Sequence, residues 1–166
     1  MFSELSPLAE AQLPPLLCDH AAGRLLHSDS RKICPGDIFI ACQGEYADGR
    51  HYIPAAIDNG AAFVFWDDDG TFAWPSECTV PNQGIKDLKS CAGIVAAAVY
   101  GHVSDGLDVW GITGTNGKTS VSQWLAQAGD LLGDKTAVIG TVGNGFWGSL
   151  QESTHTTPDP VAVQTL

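Results

Sequence analysis

Short apolar runs of strand length alternate with helical segments along this chain, and this alternation constrains its fold more than any other feature. The runs DIFIAC (37–42), AAFVFW (61–66) and KTAVIGTV (135–142) are rich in β-branched and aromatic residues. Helical periodicity occurs over 52–60 and over 86–100. Because strands that alternate with helices build mainly parallel sheets, the sequence predicts an α/β fold.

The order of the elements indicates two domains. A boundary near GHVSDG separates a small first domain, residues 1–104, from a second, residues 105–166. The second is expected to hold a strand over 107–113, a helix over 118–132 and the strand over 135–142. These elements are too few for a complete nucleotide-binding domain, so we expect the truncated start of a P-loop domain with a mainly parallel sheet. The smaller predicted elements are a helix over 5–18, a short strand from Arg24 into a polar turn, a solvated turn over 67–70, a Pro-rich stretch over 74–81, a turn over 143–148 and a helix that starts at Val161.

A glycine-rich turn joins the strand over 107–113 to the following helix. The common P-loop pattern, G-x-x-x-x-G-K-[ST], would require glycine where this chain has Ile112. The actual loop is shorter and reads G-x-x-G-K-T from Gly114 to Thr119. Backbone amides in such a turn, together with a helix N-terminus, favour an anion, and the sequence therefore predicts a phosphate site.

Each side chain of the loop has an expected role. Lys118 reaches the β- and γ-phosphates of ATP as the catalytic cation, and the Thr119 hydroxyl binds Mg²⁺. Asn116 tolerates the left-handed backbone that such loops use. A tight turn with a surface lysine is the alternative interpretation. The predicted ATP-binding residues are Gly114, Thr115, Asn116, Gly117, Lys118, Thr119 and Ser120.

Charge and cysteine content exclude several functional classes. The net charge is −11 and only eight residues are basic, so we expect no nucleic-acid partner. The five cysteines include no C-x-x-C pair, which favours free thiols in a reducing cytoplasm. The histidines show no metal-ligand spacing. The apolar stretch CAGIVAAAVYG is too short to span a bilayer, so we expect a cytoplasmic protein without a membrane partner.

The GTNGKT loop resembles the ATP-binding loop of the Mur ligase family, whose relatives include folylpolyglutamate synthetases and cyanophycin synthetase. The first domain resembles the uridine-nucleotide domain of the MurE branch, through DSR (29–31), PGDIFIA (35–41) and the stretch 44–61. Residues 140–145 and the TTP loop (156–158) match the same branch. The matches keep the order and spacing of the family between residues 28 and 160.

This resemblance implies an ATP-dependent ligase of peptidoglycan precursor synthesis. The acceptor would be UDP-N-acetylmuramoyl-L-alanyl-D-glutamate, activated as an acyl phosphate before the amine of a diamino acid attacks. The DGRHYIPAA stretch is similar to that of Gram-negative members, which favours meso-diaminopimelate over L-lysine. The implied cofactors are ATP and Mg²⁺. We expect a monomer, and we expect this chain by itself to be inactive, because the other active-site parts of the family lie beyond residue 166.

The resemblance also implies which residues bind the acceptor. Ser28 and Ser30 match positions that hold the uridine nucleotide, although plain turn capping is an open alternative. Arg31 is expected to pair with the pyrophosphate, with Asp29 or with Asp37. The loop that covers the nucleotide corresponds to Glu45, Tyr46 and Ala47.

A second group of acceptor-binding residues is implied near the end of the chain. Thr156 and Thr157 match positions that bind the sugar-peptide close to the reacting phosphate, and His155 stands where relatives often have asparagine. An ordinary polar loop before a helix is the alternative. For the chain as a whole, two other readings remain open: a different ligase of the family, such as a folylpolyglutamate-type enzyme, and a stand-alone UDP-sugar-binding module.

Overall fold

The chain folds into two compact units, which divide between Asp105 and Gly106. The computed structural model describes residues 23–44, 47–152 and 158–165. The helix predicted over 5–18 lies outside these residues. That the two units carry the two predicted binding functions remains a prediction.

The first unit is built on a four-stranded sheet in which each neighbouring pair of strands is parallel. In spatial order the strands are β1 (Leu26–His27), β2 (Ile38–Ala41), β3 (Phe63–Asp67) and β4 (Asn82–Ile85). Helix α1 (Ile53–Asp58) connects β2 to β3, and helix α2 (Leu88–Val99) follows β4. The predicted α/β class with a parallel sheet is confirmed.

The core of this unit lies on both sides of β2 and β3. All four residues of β2 are buried, as expected for an inner parallel strand that is covered on both faces. Phe39 and Val64 pack with Ile53 of α1 in one buried cluster. Tyr100, directly after α2, accepts a hydrogen bond from the Leu26 amide at 2.8 Å and so ties β1 to the end of that helix.

Two of the sequence motifs meet in a close backbone contact. Gly60 has a φ of 99°, and a Cβ built there would lie 2.8 Å from the Pro35 Cα. The Gly36 amide donates to the Gly60 carbonyl at 2.9 Å. Asp37 accepts from the Cys34 amide at 2.9 Å and closes the same turn. The PGD and NGA motifs of the sequence therefore stabilise the fold.

Strand β4 was not predicted, because Asn82-Gln83-Gly84-Ile85 has neither alternation nor a β-branched run. It forms at the edge of the sheet because β3 offers its backbone groups, with Phe65 in register with Gln83. The aspartate-rich turn after β3 also differs from its prediction. Asp67 is buried and accepts a hydrogen bond from the first amide of α2, so the turn is only partly solvated.

The second unit contains helix α3 (Lys118–Leu132), two strands and helix α4 (Pro160–Thr165). Strands β5 (Ala137–Gly140) and β6 (Gly143–Phe146) pair antiparallel, whereas a mainly parallel sheet was expected here. The turn predicted over 143–148 is wrong for its first four residues. Gly143 is used for a close approach, because a Cβ there would lie 2.5 Å from the Gln151 carbonyl oxygen.

The strand predicted over 107–113 does not form. No described strand pairs with these residues, and a strand without a hydrogen-bonded neighbour has no stabilised backbone. Val109 and Trp110 are 81% and 80% exposed. The apolar pattern was read correctly, but the surface needed to bury it is absent from the described residues.

Candidate functional site

The glycine loop lies at the N-terminus of the long helix α3, as the sequence predicts. Gly114 and Gly117 have φ values of 147° and 78°, which favour glycine. Among the described non-glycine residues only Asp87 and His102 have positive φ, so the left-handed backbone expected at Asn116 lies at the glycines. A Cβ at Gly117 would meet no atom within 4 Å, so the loop is open above this position.

The first turn of α3 presents backbone amides that the helix itself does not use. The first amide to bond within the helix is that of Val121, which donates to the Gly117 carbonyl at 2.9 Å. The amides of Lys118, Thr119 and Ser120 precede it, where an α-helix has no internal acceptor. These residues are all exposed. Free amides and the helix dipole together make this end of α3 suitable for a phosphate group.

Two side chains of the loop could bind a phosphate and its metal ion, one through an ammonium group and one through a hydroxyl. The Lys118 ammonium donates to the Gly114 carbonyl at 2.5 Å and is thereby held over the loop. The Thr119 hydroxyl lies 3.1 Å from the Thr141 hydroxyl, directly after β5. Thr141 was not assigned a role from the sequence, and only the packing of β5 beside α3 brings it here. Oxygen donors of this type suit Mg²⁺, which binds few protein ligands and retains phosphate oxygens.

The first unit holds a separate pocket of about 370 Å³. It is lined by Ser28, Asp29, Ser30, Arg31 and Tyr52. Ser30 is buried, and its carbonyl accepts from the Asn59 side chain at 2.9 Å, which fixes the turn to the end of α1. The structure thus brings both predicted serines to one pocket and adds Tyr52, which the sequence analysis did not select.

Arg31 pairs with Asp29, one of the three partners that were expected for it. Its Nε and Nη2 atoms donate to the two carboxylate oxygens at 2.9 and 2.8 Å. These hydrogen bonds, opposed by partial burial, lower the pKa of Asp29 to about 2. The guanidinium is nevertheless 87% exposed. An exposed ion pair of this kind contributes little stability and can exchange its partner for another anion.

The other predicted acceptor-binding residues are only partly covered by the structure. Glu45, Tyr46, His155, Thr156 and Thr157 lie outside the described residues. Ala47 is exposed, and its carbonyl accepts from the Gly44 amide at 2.9 Å. Its predicted role in covering a nucleotide stays a prediction.

Arg50, within the DGR motif, is a structural residue. Its side chain is 6% exposed, donates to Asp48 at 2.8 Å and to Asp69 at 2.9 Å, and stacks over Phe72. Hydrogen bonds from Arg50 lower the pKa of Asp48. Hydrogen bonds from Thr71, and then from Arg50, hold the pKa of Asp69 well below its usual range. Because Arg50 is buried and paired with two carboxylates, its guanidinium is not available to bind a ligand.

A few further features bear on function. His27 Nε2 lies 3.3 Å from the Asp37 carboxylate, so this histidine joins β1 to the turn before β2. Within the described residues no three histidine, cysteine, aspartate or glutamate side chains are grouped to hold a metal ion. None of the described helices is long and apolar enough to cross a membrane.

Two protein-family models match this sequence. The model described as "Mur ligase family, catalytic domain" matches residues 24–100. The model described as "Mur ligase middle domain" matches residues 112–166. The division between the two matches falls in the same part of the chain as the division between the two compact units.

Curated relatives with high identity carry one common name, UDP-N-acetylmuramoyl-L-alanyl-D-glutamate--2,6-diaminopimelate ligase. The protein from Neisseria meningitidis serogroup A is 75% identical over 100% of this chain and 34% of its own length. The protein from Chromobacterium violaceum is 62% identical over 84% of this chain and 28% of its own. The chain therefore spans about a third of the length of the curated relatives it matches.

Solved structures with a similar fold belong to the same group of ligases. A structure named UDP-N-acetylmuramoyl-L-alanyl-D-glutamate--2,6-diaminopimelate ligase matches with a TM-score of 0.58 and 29% identity, over 85% of this chain and 28% of that one. The MurF ligase from Thermotoga maritima in complex with ADP matches with a TM-score of 0.53 over 72% of this chain and 25% of that one. Its 22% identity supports the fold alone.

Proposed function

This chain belongs to the Mur ligase family, and from that premise we propose that it forms part of an ATP-dependent ligase of peptidoglycan precursor synthesis. The enzyme joins a diamino acid to UDP-N-acetylmuramoyl-L-alanyl-D-glutamate. The observation that carries the proposal is the open glycine loop at the N-terminus of α3, in a chain 75% identical along its whole length to a protein named as such a ligase.

The diamino acid proposed is meso-diaminopimelate in preference to L-lysine. The support is the common name of the relatives from Neisseria, Chromobacterium and Pseudomonas, each of which is called a 2,6-diaminopimelate ligase. The proposal assigns the cytoplasm as the location, because the precursor and ATP are both available there. It also assigns a monomer, without nucleic-acid or membrane partners.

The reaction needs activation, because a carboxylate at neutral pH is a poor electrophile. ATP supplies a phosphoryl group, which converts the side-chain carboxylate of D-glutamate to an acyl phosphate. The amine of the diamino acid then attacks the acyl carbon, and phosphate leaves from the tetrahedral intermediate. The contribution of the protein is positioning and charge stabilisation.

The residues of the glycine loop fit a nucleotide with its metal. The amides of Lys118, Thr119 and Ser120 donate to phosphate oxygens, and the Lys118 ammonium exchanges the Gly114 carbonyl for a phosphate oxygen. The Thr119 hydroxyl, which lies within hydrogen-bond distance of Thr141, would be a protein ligand for Mg²⁺. Each of these groups is exposed, so the site accepts a ligand without unfolding any part of the unit.

Calorimetric titration of this chain with Mg-ATP tests the loop. The Lys118→Met variant removes a charge-assisted hydrogen bond, and we expect the affinity for Mg-ATP to fall about 10- to 100-fold. Lys135→Met, at an exposed lysine of the same unit, is the matched control and should bind as the unchanged chain does. Equal affinity of both variants would remove Lys118 from the site.

A parallel titration with UDP-N-acetylmuramoyl-L-alanyl-D-glutamate tests the first unit. We expect heat from this ligand in the unchanged chain and in Lys118→Met alike. A stand-alone UDP-sugar-binding module is the second candidate, favoured by the fact that the described residues lining the pocket all belong to the first unit. Heat with the uridine ligand, but none with Mg-ATP, would favour that candidate over the ligase.

A further inference from the structure

Tyr52 lines the pocket of the first unit, together with the turn from Ser28 to Arg31. It stands at the N-cap of α1. The next residue, Ile53, is fully buried in the core, whereas Tyr52 is 48% exposed. An aromatic ring that stays half exposed beside a pocket is available to a ligand.

Helix capping does not explain Tyr52 either. N-cap positions favour serine, threonine, aspartate and asparagine, whose side-chain oxygens accept from the first amides of the helix. Among the described residues, no side-chain hydrogen bond from Tyr52 caps α1. The preceding 3-10 turn, Gly49–Tyr52, is instead capped by Asp48, which accepts from the Arg50 amide at 3.0 Å.

The surroundings of Tyr52 divide the pocket into chemically different sides. The serine side supplies hydroxyl and backbone groups, and Arg31 supplies an exposed cation. Hydrogen bonds that Arg31 donates to Asp29 are the main cause of its raised pKa, so the guanidinium stays charged where it lines the same pocket as Tyr52. A flat ring, a hydrogen-bonding turn and a cation match the base, the ribose and the phosphate of a nucleotide.

We propose that Tyr52 is the aromatic platform on which the base of the uridine nucleotide stacks, with Arg31 facing the phosphate side. This inference rests on the proposed function, since it names a binding residue for the acceptor of that reaction. A base is preferred to a sugar because each nucleobase offers a π-face to a tyrosine ring, and such stacking needs no hydrogen-bond register.

The test is a proton NMR titration of uridine 5′-diphosphate with the full chain. Stacking on a tyrosine ring moves the uracil H5 and H6 resonances upfield through the ring current. Tyr52→Phe keeps the ring, and we expect it to keep this shift and the affinity. Tyr52→Leu keeps an apolar side chain without a ring, and we expect it to lose the shift and about 5- to 150-fold in affinity.

Three controls keep the result specific. Lys32→Met changes an exposed cation beside Arg31 that does not line the pocket, and Trp110→Leu removes an exposed aromatic ring from the second unit. Both should leave the uracil shift unchanged. Ribose 5-phosphate, which lacks the base, should bind the unchanged chain and Tyr52→Leu equally.

The outcomes separate this inference from the proposed function. If the unchanged chain binds uridine 5′-diphosphate and Tyr52→Leu does so with the same affinity and the same uracil shift, the role of Tyr52 is overturned and the proposed function stands. If the unchanged chain binds neither this nucleotide nor the muramoyl dipeptide ligand, both are overturned. Because the ring is half exposed, all variants should melt within a few degrees of the unchanged chain.

Discussion

The two units of this chain treat their apolar residues in opposite ways. In the first, the apolar residues of β2 and β3 are buried between helices, and the largest side chains, Phe39 and Phe65, are 1% and 0% exposed. In the second, α3 buries only Ala126 among its described residues. The exposed large apolar side chains of the second unit include Leu107, Val109, Trp110, Trp124, Leu131 and Leu132.

This difference shows that an apolar stretch of sequence forms a core only when another element is present to pack against it. The first unit has a four-stranded sheet with helices from the same stretch of chain. Among its described residues the second unit has one long helix, the short helix α4 and a two-stranded hairpin, and such a hairpin is marginal by itself in water. We therefore expect the pocket lined by Tyr52 to lie in the more stable unit and the glycine loop in the less stable one.

The largest expected effect is a core truncation in the first unit. Phe39→Ala leaves a cavity inside the sheet and should cost about 3–5 kcal/mol of unfolding free energy. Trp110→Ala, in the second unit, removes a side chain that contacts mostly water and should stay within about 0.5 kcal/mol. Urea titration followed by hydrogen exchange of peptides from each unit measures both. Equal effects would contradict the comparison.

Two glycines with almost the same φ angle, one in each unit, extend the comparison of the two units. Gly60 and Gly133 have φ values of 99° and 94°, but a Cβ at Gly60 meets Pro35 whereas a Cβ at Gly133 meets nothing within 4 Å. Gly60→Ala should cost about 3 kcal/mol, from backbone strain and overpacking together, and Gly133→Ala about 1 kcal/mol from strain alone. If thermal unfolding shows the same destabilisation for both substitutions, the atoms around the added Cβ do not determine its effect.

Two arginines that share the same local pairing with an aspartate differ in burial, so their substitution tests how burial affects stability. Arg50 and Arg31 each pair with an aspartate two residues earlier, but Arg50 is buried and Arg31 is exposed. Arg50→Met should cost roughly 2 kcal/mol, because it leaves carboxylates without their donor. Arg31→Met should leave stability almost unchanged and reduce only the affinity for anionic nucleotides. The reverse order in urea unfolding would contradict this assignment.

The smallest expected effect is on the acid side of the pH profile. The folded-state pKa values of Asp48 and Asp69 are lowered, so their contribution to stability is complete above the unfolded-state pKa of about 4 and is lost as pH falls below it. Stability of the first unit should therefore decrease between pH 5 and pH 3 by more in the unchanged chain than in Arg50→Met. Parallel acid profiles for the two proteins would show that Arg50 is not the cause.

Much of the fold could be predicted because the pattern was local and continuous. Strands β2 and β3 are apolar runs, and α3 begins at Lys118 and ends at Leu132 as the spacing indicates. Strand β4 could not be predicted, since Asn82 and Gln83 are polar and become a strand only beside β3. The run over 107–113 shows the converse, a strand pattern without a described neighbour.

The sequence by itself determined the position of the glycine loop, because a short turn and a helix start depend on nearby residues only. It also determined the family, since motifs from 28 to 160 keep their order. Only the tertiary structure decided that Arg50 is buried between Asp48 and Asp69, that Thr141 meets Thr119, and that Tyr52 shares a pocket with Ser30. Most of these residues are far apart along the chain, and burial changes what the others do. The order of residues alone does not show which side chains lie close together or become buried.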